Sequence, residues 1–331
     1  MNLKNNGNGR ILILIPVFND WESVIILLGL LDDFLFDKNI SVEVLILNDS
    51  STRLIPFNSL SLINLKLICK VNILHLRRNL GHQRAIAIGL AYVAETINCQ
   101  AVLIMDSDGE DTPQDALELI EKCNVENYNK IVFAKRKERS EGFLFILFYT
   151  IYRLLYKVLT GCQISFGNFS IIPYDLLQKI VVVSEIWNHY AAGVMKSKLP
   201  YTTIPTKRGK RIAGKSNMNF VMLVTHGLSA ISVYGETIGV RLLIGSCIIM
   251  FGTMFFICTI LFVKLATELA IPGWASSMVL LAIIILIQTI LGSLLFSFIA
   301  LNGRNNINFL PNRDYYYFIQ SIQKILPKQA M

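Results

Sequence analysis

Two long apolar runs near the C-terminus limit what this chain can fold into more than any other feature. Residues 242–263 form a nearly uninterrupted apolar stretch, and residues 274–301 form a second. Each exceeds the roughly 18 to 20 residues that an α-helix needs to cross about 30 Å of hydrocarbon. We therefore expect two transmembrane helices. Two such runs in one chain argue against the alternative that each is the core helix of a soluble protein.

The basic residues around these runs predict their orientation. The loop 264–273 carries one lysine balanced by Glu268, and Arg241 precedes the first run. The basic residues that follow the second run are Arg304, Arg313, Lys324 and Lys328. The positive-inside rule then places both termini in the cytoplasm. We expect a multi-pass protein of the cytoplasmic (inner or plasma) membrane, and six cysteines without paired spacing agree with a reduced compartment.

Before these runs, roughly the first 135 residues alternate short apolar runs with helical patterns. The predicted strands are 11–17, 42–47, 66–76, 101–105 and 130–134, and the predicted helices are 21–36, 83–96 and 113–123. This alternation predicts an α/β domain with a mostly parallel, doubly wound sheet. Ligands of such sheets bind outside the carboxyl ends of the strands, so the polar residues that follow strands are the candidate site residues.

Two further segments suit helices that lie in the membrane interface. Residues 143–159 are too short and too basic to span, and residues 217–237 alternate apolar with polar side chains. Core helices of the soluble domain are the alternative. We therefore predict a cytoplasmic domain over 1–238, two transmembrane helices within 239–303, and a cytoplasmic tail over 304–331.

Asp106 and Asp108, which follow the strand 101–105, give the clearest chemical signal. Two carboxylates on a turn after a buried strand can hold a hard divalent cation, and Mg²⁺ commonly takes one or two carboxylates plus substrate phosphates. Such a cation would neutralise the charge on a leaving diphosphate. Glu110 is the candidate third ligand, either direct or through water. A solvated acidic turn is the alternative, and the position at a strand end argues against it.

Polar residues also follow other strands. Asp49 comes two residues after 42–47 and either accepts hydrogen bonds from a base or ribose or forms the turn. Residues 77–82 (RRNLGH) follow a strand and open a helix, an arrangement that suits phosphate. His82 is a candidate base, and a helix-capping role is its more common alternative.

A basic loop near residue 210 allows more than one interpretation. Residues 209–216 read GKRIAGKS and match the phosphate-loop pattern GxxxxGK[ST]. That fold needs several strands after the loop, whereas one helix and two apolar runs follow here. We therefore favour a flexible loop that clamps a diphosphate or a lipid phosphate over a membrane-anchored phosphate-loop NTPase. A loop that only neutralises anionic lipid is the remaining alternative.

The net charge of +8 does not indicate a nucleic-acid partner. The basic residues cluster in 135–139 and 207–215 rather than along a surface with interleaved aromatic residues. Membrane lipids and phosphate-bearing substrates are the expected partners. The sequence leaves open whether the chain forms a homo-oligomer.

Taken in order, these motifs resemble the family 2 inverting glycosyltransferases of the GT-A fold. Within them, the chain is similar to dolichol-phosphate mannose synthases and to bacterial polyprenyl-phosphate glycosyltransferases with two C-terminal spans. The segments that carry the resemblance are 15–20 (IPVFND), 47–52 (LNDSST), 79–85 (NLGHQRA), 105–113 (MDSDGEDTP), 133–136 (FAKR), 167–169 (GNF) and 211–216 (RIAGKS). Two positions depart from the family pattern, because Asn48 and Asn168 each replace an aspartate.

The resemblance implies a role for each motif. Residues that would bind the nucleotide-sugar are Pro16, Phe18, Asn19, Asp20, Asn48, Asp49, Asn79, Gly81, Asp106 and Ser107. Mg²⁺ or Mn²⁺ would be held by Asp106 and Asp108, with Glu110 as a further ligand. The implied catalytic set is Asp106, Asp108, Arg136, Arg211 and Ser216, in which the arginines position phosphates.

The implied reaction transfers a hexose with inversion from a UDP- or GDP-linked donor to polyprenyl phosphate, for cell-envelope glycan or glycolipid assembly. A phosphate oxygen is anionic near neutral pH, so no strong base is required. A hydroxyl of a glycolipid or polysaccharide is the alternative acceptor and needs a base; Asp108, Glu110, Asn168 and His189 are not ranked for that role. The loss of a carboxylate at Asn168 leaves the lipid-phosphate specificity open. A non-catalytic scaffold is disfavoured by the intact pair of aspartates at 106 and 108.

Overall fold

A mixed sheet organises the part of the chain described by the computed structural model, which is residues 9–36, 40–56, 65–136, 143–163, 165–214, 220–267, 273–305 and 309–326. Its strands are β1 Ile11–Val17, β2 Val42–Asn48, β3 Ile68–Leu76, β4 Ala101–Ile104, β5 Ile131–Arg136, β6 Ser170–Pro173, β7 Tyr201–Thr206 and β8 Ile319–Leu326. Their order across the sheet is β7-β5-β6-β4-β1-β2-β3-β8. β1 pairs in parallel with β2 and β4, whereas β6 and β8 are antiparallel to their neighbours.

Helices connect and cover these strands. In chain order they are α1 Trp21–Phe36, α2 His82–Thr96, α3 Pro113–Val125, α4 Phe143–Thr160, α5 Tyr174–Ile180, α6 Tyr190–Lys196, α7 Phe220–Ser232, α8 Gly235–Ala266, α9 Trp274–Asn305 and α10 Pro311–Asp314. The predicted α/β class with a Rossmann-like sheet and two apolar C-terminal helices is confirmed. β1 and α1 occupy the predicted residues, and the other predicted elements of the first 135 residues shift slightly at their ends.

The pattern of β1 shows how the sheet builds two hydrophobic cores. Ile11, Ile13 and Ile15 pack into the cluster that α1 and α3 cover, whereas Leu12 and Leu14 pack into the cluster that α2, α5 and α6 cover. Successive side chains of a strand point to opposite faces. A strand that is buried on both faces therefore reads as an unbroken apolar run, which is what residues 11–17 show.

The C-terminal segment corrects one prediction. Residues 304–331 were expected to form a tail, yet residues Ile319–Leu326 form β8 and pair antiparallel with β3. The backbone N–H of Arg77 donates to the carbonyl of Phe318 at 2.9 Å, and the rings of Trp187 and Phe309 lie 3.7 Å apart. The sheet therefore contains chain from beyond the two apolar helices, and a domain ending at residue 238 does not describe it.

The chain divides into two compact units, and the smaller one contains α8 and α9. This unit is drawn from Thr150–Cys162 and Tyr234–Asn308. Helical segments Gly235–Ala266 and Trp274–Ile299 are long and apolar enough to cross a membrane, and 6% of each apolar segment is buried. A core helix of a soluble protein would be mostly buried instead. Within the same unit, Nη1 of Arg241 donates to the carbonyl of Val158 at 2.6 Å.

The two predicted interface helices correspond to α4 and α7. On α7, Val221, Val224 and Leu228 share one face by spacing and are 70%, 43% and 59% exposed. The helix ends at Ser232, two residues separate it from the start of α8 along the chain, and residues 217–219 lie outside the described residues. Exposed apolar side chains on one face fit an interfacial position, which stays a prediction.

Candidate active site

The carboxyl ends of the parallel strands β1, β2 and β4 bring the predicted site residues to one edge of the sheet. Phe18, Asn19 and Asp20 follow β1, Asp49 follows β2, and Asp106 comes two residues after the end of β4. Because these three strands are adjacent in the sheet, the polar residues at their ends lie near one another.

Asn19 joins the end of β1 to the loop that follows β2. Its backbone adopts a positive φ of 62°. Oδ1 of Asn19 accepts the backbone N–H groups of Thr52 at 2.8 Å and Arg53 at 2.9 Å, and Nδ2 donates to Oγ1 of Thr52 at 3.0 Å. The residue predicted to contact the nucleotide therefore holds the corner together. A cavity of about 180 Å³ borders this corner and is lined by Asn19, Asp20, Arg53 and Gly214, among others.

Asn48, the first departure from the family pattern, is buried and engaged within the protein. Its Oδ1 accepts the N–H of Ser51 at 2.9 Å, and its Nδ2 lies 3.1 Å from Nδ1 of His75. Nε2 of His75 in turn lies 3.3 Å from Oε1 of Gln323 on β8. Burial lowers the pKa of His75, so the neutral ring can accept from Asn48 and donate to Gln323. The amide of Asn48 can donate a hydrogen bond to Nδ1 of His75, whereas an ionised carboxylate at this position could not.

Asp49 fastens the turn before α2. Its carboxylate accepts the N–H groups of Leu80 at 2.7 Å and Gly81 at 2.9 Å, and Nδ2 of Asn79 donates to its carbonyl at 3.2 Å. Burial raises the pKa of Asp49 and these two backbone N–H groups oppose that rise. Gly81 has a φ of 84°, a conformation that glycine adopts most readily. Three residues predicted to bind the nucleotide thus form one network beneath the site.

The turn after β4 carries the aspartates of the predicted metal motif. Nε2 of His82 lies 3.1 Å from Oδ1 of Asp106, and the N–H of Asp106 donates to Oδ2 of Asp111 at 3.0 Å. Burial raises the pKa of Asp111, and the charge of Asp106 raises it further. Burial opposes ionisation of Asp106 as well, but His82 together with Arg136 and Arg211 outweighs burial, so the pKa of Asp106 is lowered. Of the pair Asp106 and Asp111, Asp106 therefore carries the negative charge at neutral pH.

Arg211 brings the basic loop onto this turn. Its Nη1 lies 3.4 Å from Oδ2 of Asp108, and its Nη2 donates to Oδ2 of Asp20 at 3.1 Å. The guanidinium therefore joins the second aspartate of the predicted metal site to a residue that follows the end of β1. Oδ1 of Asp108 accepts the N–H of Glu110 at 2.9 Å.

The backbone of the same loop also docks on the acidic turn. The N–H groups of Gly209 and Ile212 donate to the carbonyls of Glu110 and Asp108, each at 2.9 Å. Gly109 has a φ of 81°, and a Cβ there would collide with the side chain of Ile212. A Cβ on Gly209 would lie 2.8 Å from the carbonyl of Gly109. Both glycines are therefore required by the close approach of loop and turn.

Glu110 is held by arginine rather than left open toward a metal. Nε and Nη2 of Arg208 donate to its two carboxylate oxygens, each at 2.8 Å. Nη2 of Arg136 lies 3.8 Å from Oε2 of Glu110 and 3.6 Å from Oδ1 of Asp111. Sequence patterns did not single out Arg208, because a pair separated by 98 residues along the chain leaves no local signal.

The remaining predicted residues are placed as follows. Pro16 lies within β1 opposite Leu47, the side chain of Phe18 is 41% exposed, and Ser107 is buried in the acidic turn. Ser216 lies outside the described residues. The roles predicted for these residues stay predictions.

The oxygen ligands that the acidic turn offers fit a divalent cation held by two protein side chains. Oδ1 of Asp106 is a buried oxygen that makes no hydrogen bond of good geometry with the described residues, although His82 is near. Among the described residues, no group of three or more histidine, cysteine, aspartate or glutamate side chains converges as a metal site. Asp106 and Asp108 would therefore hold Mg²⁺ or Mn²⁺ together with substrate phosphates and water, which is how Mg²⁺ often binds.

Comparison with known proteins agrees with this arrangement. The model of the family "Glycosyl transferase family 2" matches residues 12–180. The "Uncharacterized glycosyltransferase YkcC" of Bacillus subtilis is 28% identical over 218 residues, which is 64% of each chain and so less than two thirds of that relative. The "Prophage bactoprenol glucosyl transferase homolog" of Escherichia coli is 25% identical over 76% of this chain and 83% of its own.

A solved structure supports the fold. Glucosyl-3-phosphoglycerate synthase from Mycobacterium tuberculosis, in complex with Mn²⁺, UDP-glucose and phosphoglyceric acid, superposes with a TM-score of 0.50. The match is 13% identical and covers 70% of this chain and 80% of that one. At this identity, the likeness concerns the fold alone.

Proposed function

The chain belongs to glycosyl transferase family 2 and is therefore a glycosyltransferase, and we propose that it moves a sugar from a nucleotide-sugar to polyprenyl phosphate with inversion. The name of the Escherichia coli relative supports a polyprenyl-type acceptor. The observation that carries the proposal is the acidic turn of Asp106 and Asp108 with Arg211 docked on it.

The acidic turn is suited to the diphosphate of the donor. A bound Mg²⁺ or Mn²⁺ would neutralise the charge that develops on the leaving diphosphate. Asp106 and Asp108 would hold it, and a cation that binds Asp108 would compete with the guanidinium of Arg211, which lies 3.4 Å from Oδ2 of Asp108. Arg211 would then be free to bind a phosphate, with Arg136 and Ser216 completing the phosphate contacts.

A phosphate acceptor has to be positioned by the protein but does not have to be deprotonated by it. An oxygen of the acceptor phosphate forms a bond to the anomeric carbon while the bond to the diphosphate breaks, and the nucleoside diphosphate leaves with that electron pair. The second pKa of a phosphate monoester is about 6, so the attacking oxygen is already anionic at neutral pH. No side chain has to accept a proton in this step.

The membrane arrangement follows from α8 and α9. We propose that both helices span the cytoplasmic membrane, with both termini and the sheet-containing unit in the cytoplasm and α4 and α7 at the interface. The catalytic unit would combine residues 1–238 with the C-terminal strand β8. A polyprenyl phosphate resides in the bilayer, so an enzyme anchored there meets its acceptor at the membrane surface.

A hydroxyl acceptor is the second candidate, and one observation favours it. The ring of His226 on α7 makes no hydrogen bond with the described residues, and burial lowers its pKa. A neutral imidazole of this kind could accept a proton from a sugar hydroxyl. The phosphate-loop alternative gains no support, because the described chain after the basic loop contributes only β8, an antiparallel edge strand.

The test is turnover by the purified full chain in detergent. UDP- and GDP-linked sugars are offered with polyprenyl phosphate, with Mg²⁺, with Mn²⁺ or with chelator, for the wild type and for Asp108→Ala. We expect a metal-dependent lipid product that Asp108→Ala loses. Asp33→Ala, an exposed carboxylate on α1, is the matched control and should keep full activity. Donor binding without any glycosylated lipid phosphate would contradict the proposed acceptor.

A further inference from the structure

Three side chains form a hydrogen-bonded row across the strands β2, β3 and β8. Nδ2 of Asn48 lies 3.1 Å from Nδ1 of His75, and Nε2 of His75 lies 3.3 Å from Oε1 of Gln323. Asn48 is opposite His75 in the parallel pairing of β2 with β3, and β8 pairs antiparallel with β3 on its other side. The row therefore runs from the end of β2 to a strand that the chain forms only after the two apolar helices.

One backbone group determines the direction of every bond in this row. The N–H of Ser51 donates to the side chain of Asn48 at 2.9 Å, so the atom that it contacts is the amide oxygen. The amide nitrogen of Asn48 then faces Nδ1 of His75 and donates to it, so Nδ1 carries no proton. The proton of the neutral ring is consequently on Nε2, and Gln323 presents its oxygen to that proton.

The row ends at a corner of strained backbone. Asn19 and Ser50 adopt positive φ values of 62° and 56°, which residues other than glycine rarely adopt. Oγ of Ser51 accepts the N–H of Asn19 at 3.0 Å, and Oδ1 of Asn19 accepts the N–H of Arg53 at 2.9 Å. Such conformations persist only where the surrounding structure holds them. Asn48 is part of that support, because it accepts the N–H of Ser51.

This corner borders the candidate active site. Asn19, Asp20 and Arg53 line the cavity of about 180 Å³. Asp20 also accepts from Arg211 at 3.1 Å, and the same guanidinium lies 3.4 Å from Asp108. Observed contacts therefore join the corner to the acidic turn that is proposed to hold the cation.

We infer that Gln323 and His75 are positioning residues for the donor: through Asn48 they hold the corner in the arrangement that receives the nucleoside part of the nucleotide-sugar. Both act through Asn48 rather than by touching the donor. The strand β8 is thus part of the donor-binding machinery, although 248 residues separate His75 from Gln323 along the chain. This inference rests on the proposed function, because it assigns the positioning of the donor in that same site.

The first measurement locates the proton on the ring of His75. The full chain in detergent, isotope-labelled at the histidine nitrogens, is compared by NMR with His75→Phe near neutral pH. The signal missing from the variant identifies His75 among the four histidines. We expect a neutral ring with its proton on Nε2. A proton on Nδ1, or a charged ring, would overturn the row, and this result is independent of any enzyme activity.

Variants at Gln323 test the effect on the donor. Gln323→Met has nearly the same size and lacks the acceptor oxygen. It should raise the KM for the nucleotide-sugar about threefold to tenfold, which is the range that one net hydrogen bond gives, and leave the acceptor KM within about twofold. Gln320→Met, the same change at an exposed position of β8, is the matched control and should keep the wild-type donor KM. Because β8 is an edge strand, we expect both variants to fold.

Two further variants separate positioning from a general loss of structure. Gln323→Glu keeps an acceptor, so at mildly alkaline pH, where the ring of His75 stays neutral, its donor KM should lie within about twofold of the wild type. In the His75→Phe background, Gln323→Met should have no further effect on the donor KM, because the row is already interrupted.

Two results would overturn the positioning role and leave the proposed function intact. One is a donor KM of Gln323→Met within about twofold of the wild type, and the other is an equal effect of that change in the wild-type and His75→Phe backgrounds. A wild type that shows the expected proton on His75 yet binds no nucleotide-sugar would instead contradict the proposed function.

Discussion

The two sides of the site differ in charge and in how completely their polar groups are paired. The donor side, formed by the acidic turn and the loop Lys207–Gly214, is built from carboxylates and arginines that neutralise one another. The proposed acceptor side, formed by Asn168, His189 and His226, presents amide and imidazole groups without net charge. Burial lowers the pKa of His189 to about 3, so its ring stays neutral.

The two sides would therefore bind their substrates through different interactions. A bound cation would replace an arginine as the partner of the carboxylates, and the diphosphate would replace a carboxylate as the partner of that arginine. The donor side would therefore keep its charges balanced with and without substrate. The acceptor side cannot exchange charges in this way, and it instead supplies hydrogen-bond donors to a group that brings its own charge. Under the proposed function, the site would therefore bind two anionic substrates by two different physical means.

The largest expected effect is on the donor side. Asp106→Asn should lower turnover at least about a hundredfold, because the buried oxygen that would hold the cation loses its charge. Glu110→Gln should lower it by less than about tenfold, because both oxygens of that carboxylate already accept hydrogen bonds from Arg208. Initial rates over a range of Mn²⁺ concentrations measure both. Equal losses in the two variants would identify Glu110 as a metal ligand.

Arg211→Gln should have opposite effects on two measurements. Turnover should fall about tenfold to a hundredfold, because a charged phosphate contact is lost. Mn²⁺ should bind more tightly in the absence of donor, because the guanidinium no longer neutralises Asp108. Titration calorimetry with Mn²⁺ alone checks the second effect. Weaker Mn²⁺ binding would show that Arg211 supports the metal site instead of competing with it.

Gly209→Ala should loosen the docked loop without removing any charge. The added Cβ meets the carbonyl of Gly109 at 2.8 Å and the methyl of Thr112 at 2.7 Å, and relieving such overlap costs about 1–3 kcal/mol. Trypsin should then cleave after Arg208 or Arg211 faster than in the wild type. Gly29→Ala, where a Cβ meets nothing within 4 Å, is the control. Unchanged cleavage would mean that the loop is not held by this contact.

His226→Phe should have the smallest effect and separates the two acceptor classes. Phenylalanine can keep the ring contact with His189, whose centroid lies 4.6 Å from that of His226. If the acceptor is a phosphate, turnover should change by less than about threefold, because no proton is transferred to a base. A loss of about a hundredfold or more would identify His226 as a base and favour a hydroxyl acceptor.

The sequence predicted the elements whose signals are local. An unbroken apolar run defined β1, and helical spacing of the apolar residues defined α1. The pair Asp106 and Asp108 could be placed at the edge of the sheet because it follows an apolar run. The two long apolar helices were visible from length alone.

Other features depend on partners far along the chain and leave no local pattern. β6 has four residues, and β8 follows two apolar helices, so neither reads as part of a sheet. The strand-end residues Asn19, Asn48 and Asp49 were expected to bind a nucleotide. They are used to satisfy loop N–H groups at the strand ends, since buried backbone donors must be paired. The pairing of Glu110 with Arg208 is likewise a tertiary contact.

The most direct test of the central claim is the identity of the bond that the enzyme forms. The full chain is incubated with a labelled nucleotide-sugar, Mn²⁺ and either polyprenyl phosphate or polyprenol, and the lipid product is analysed by mass spectrometry and mild acid hydrolysis. The account predicts a sugar joined through phosphate to the lipid, released by mild acid, and no product from polyprenol. An acid-stable glycoside formed on a hydroxyl would contradict it.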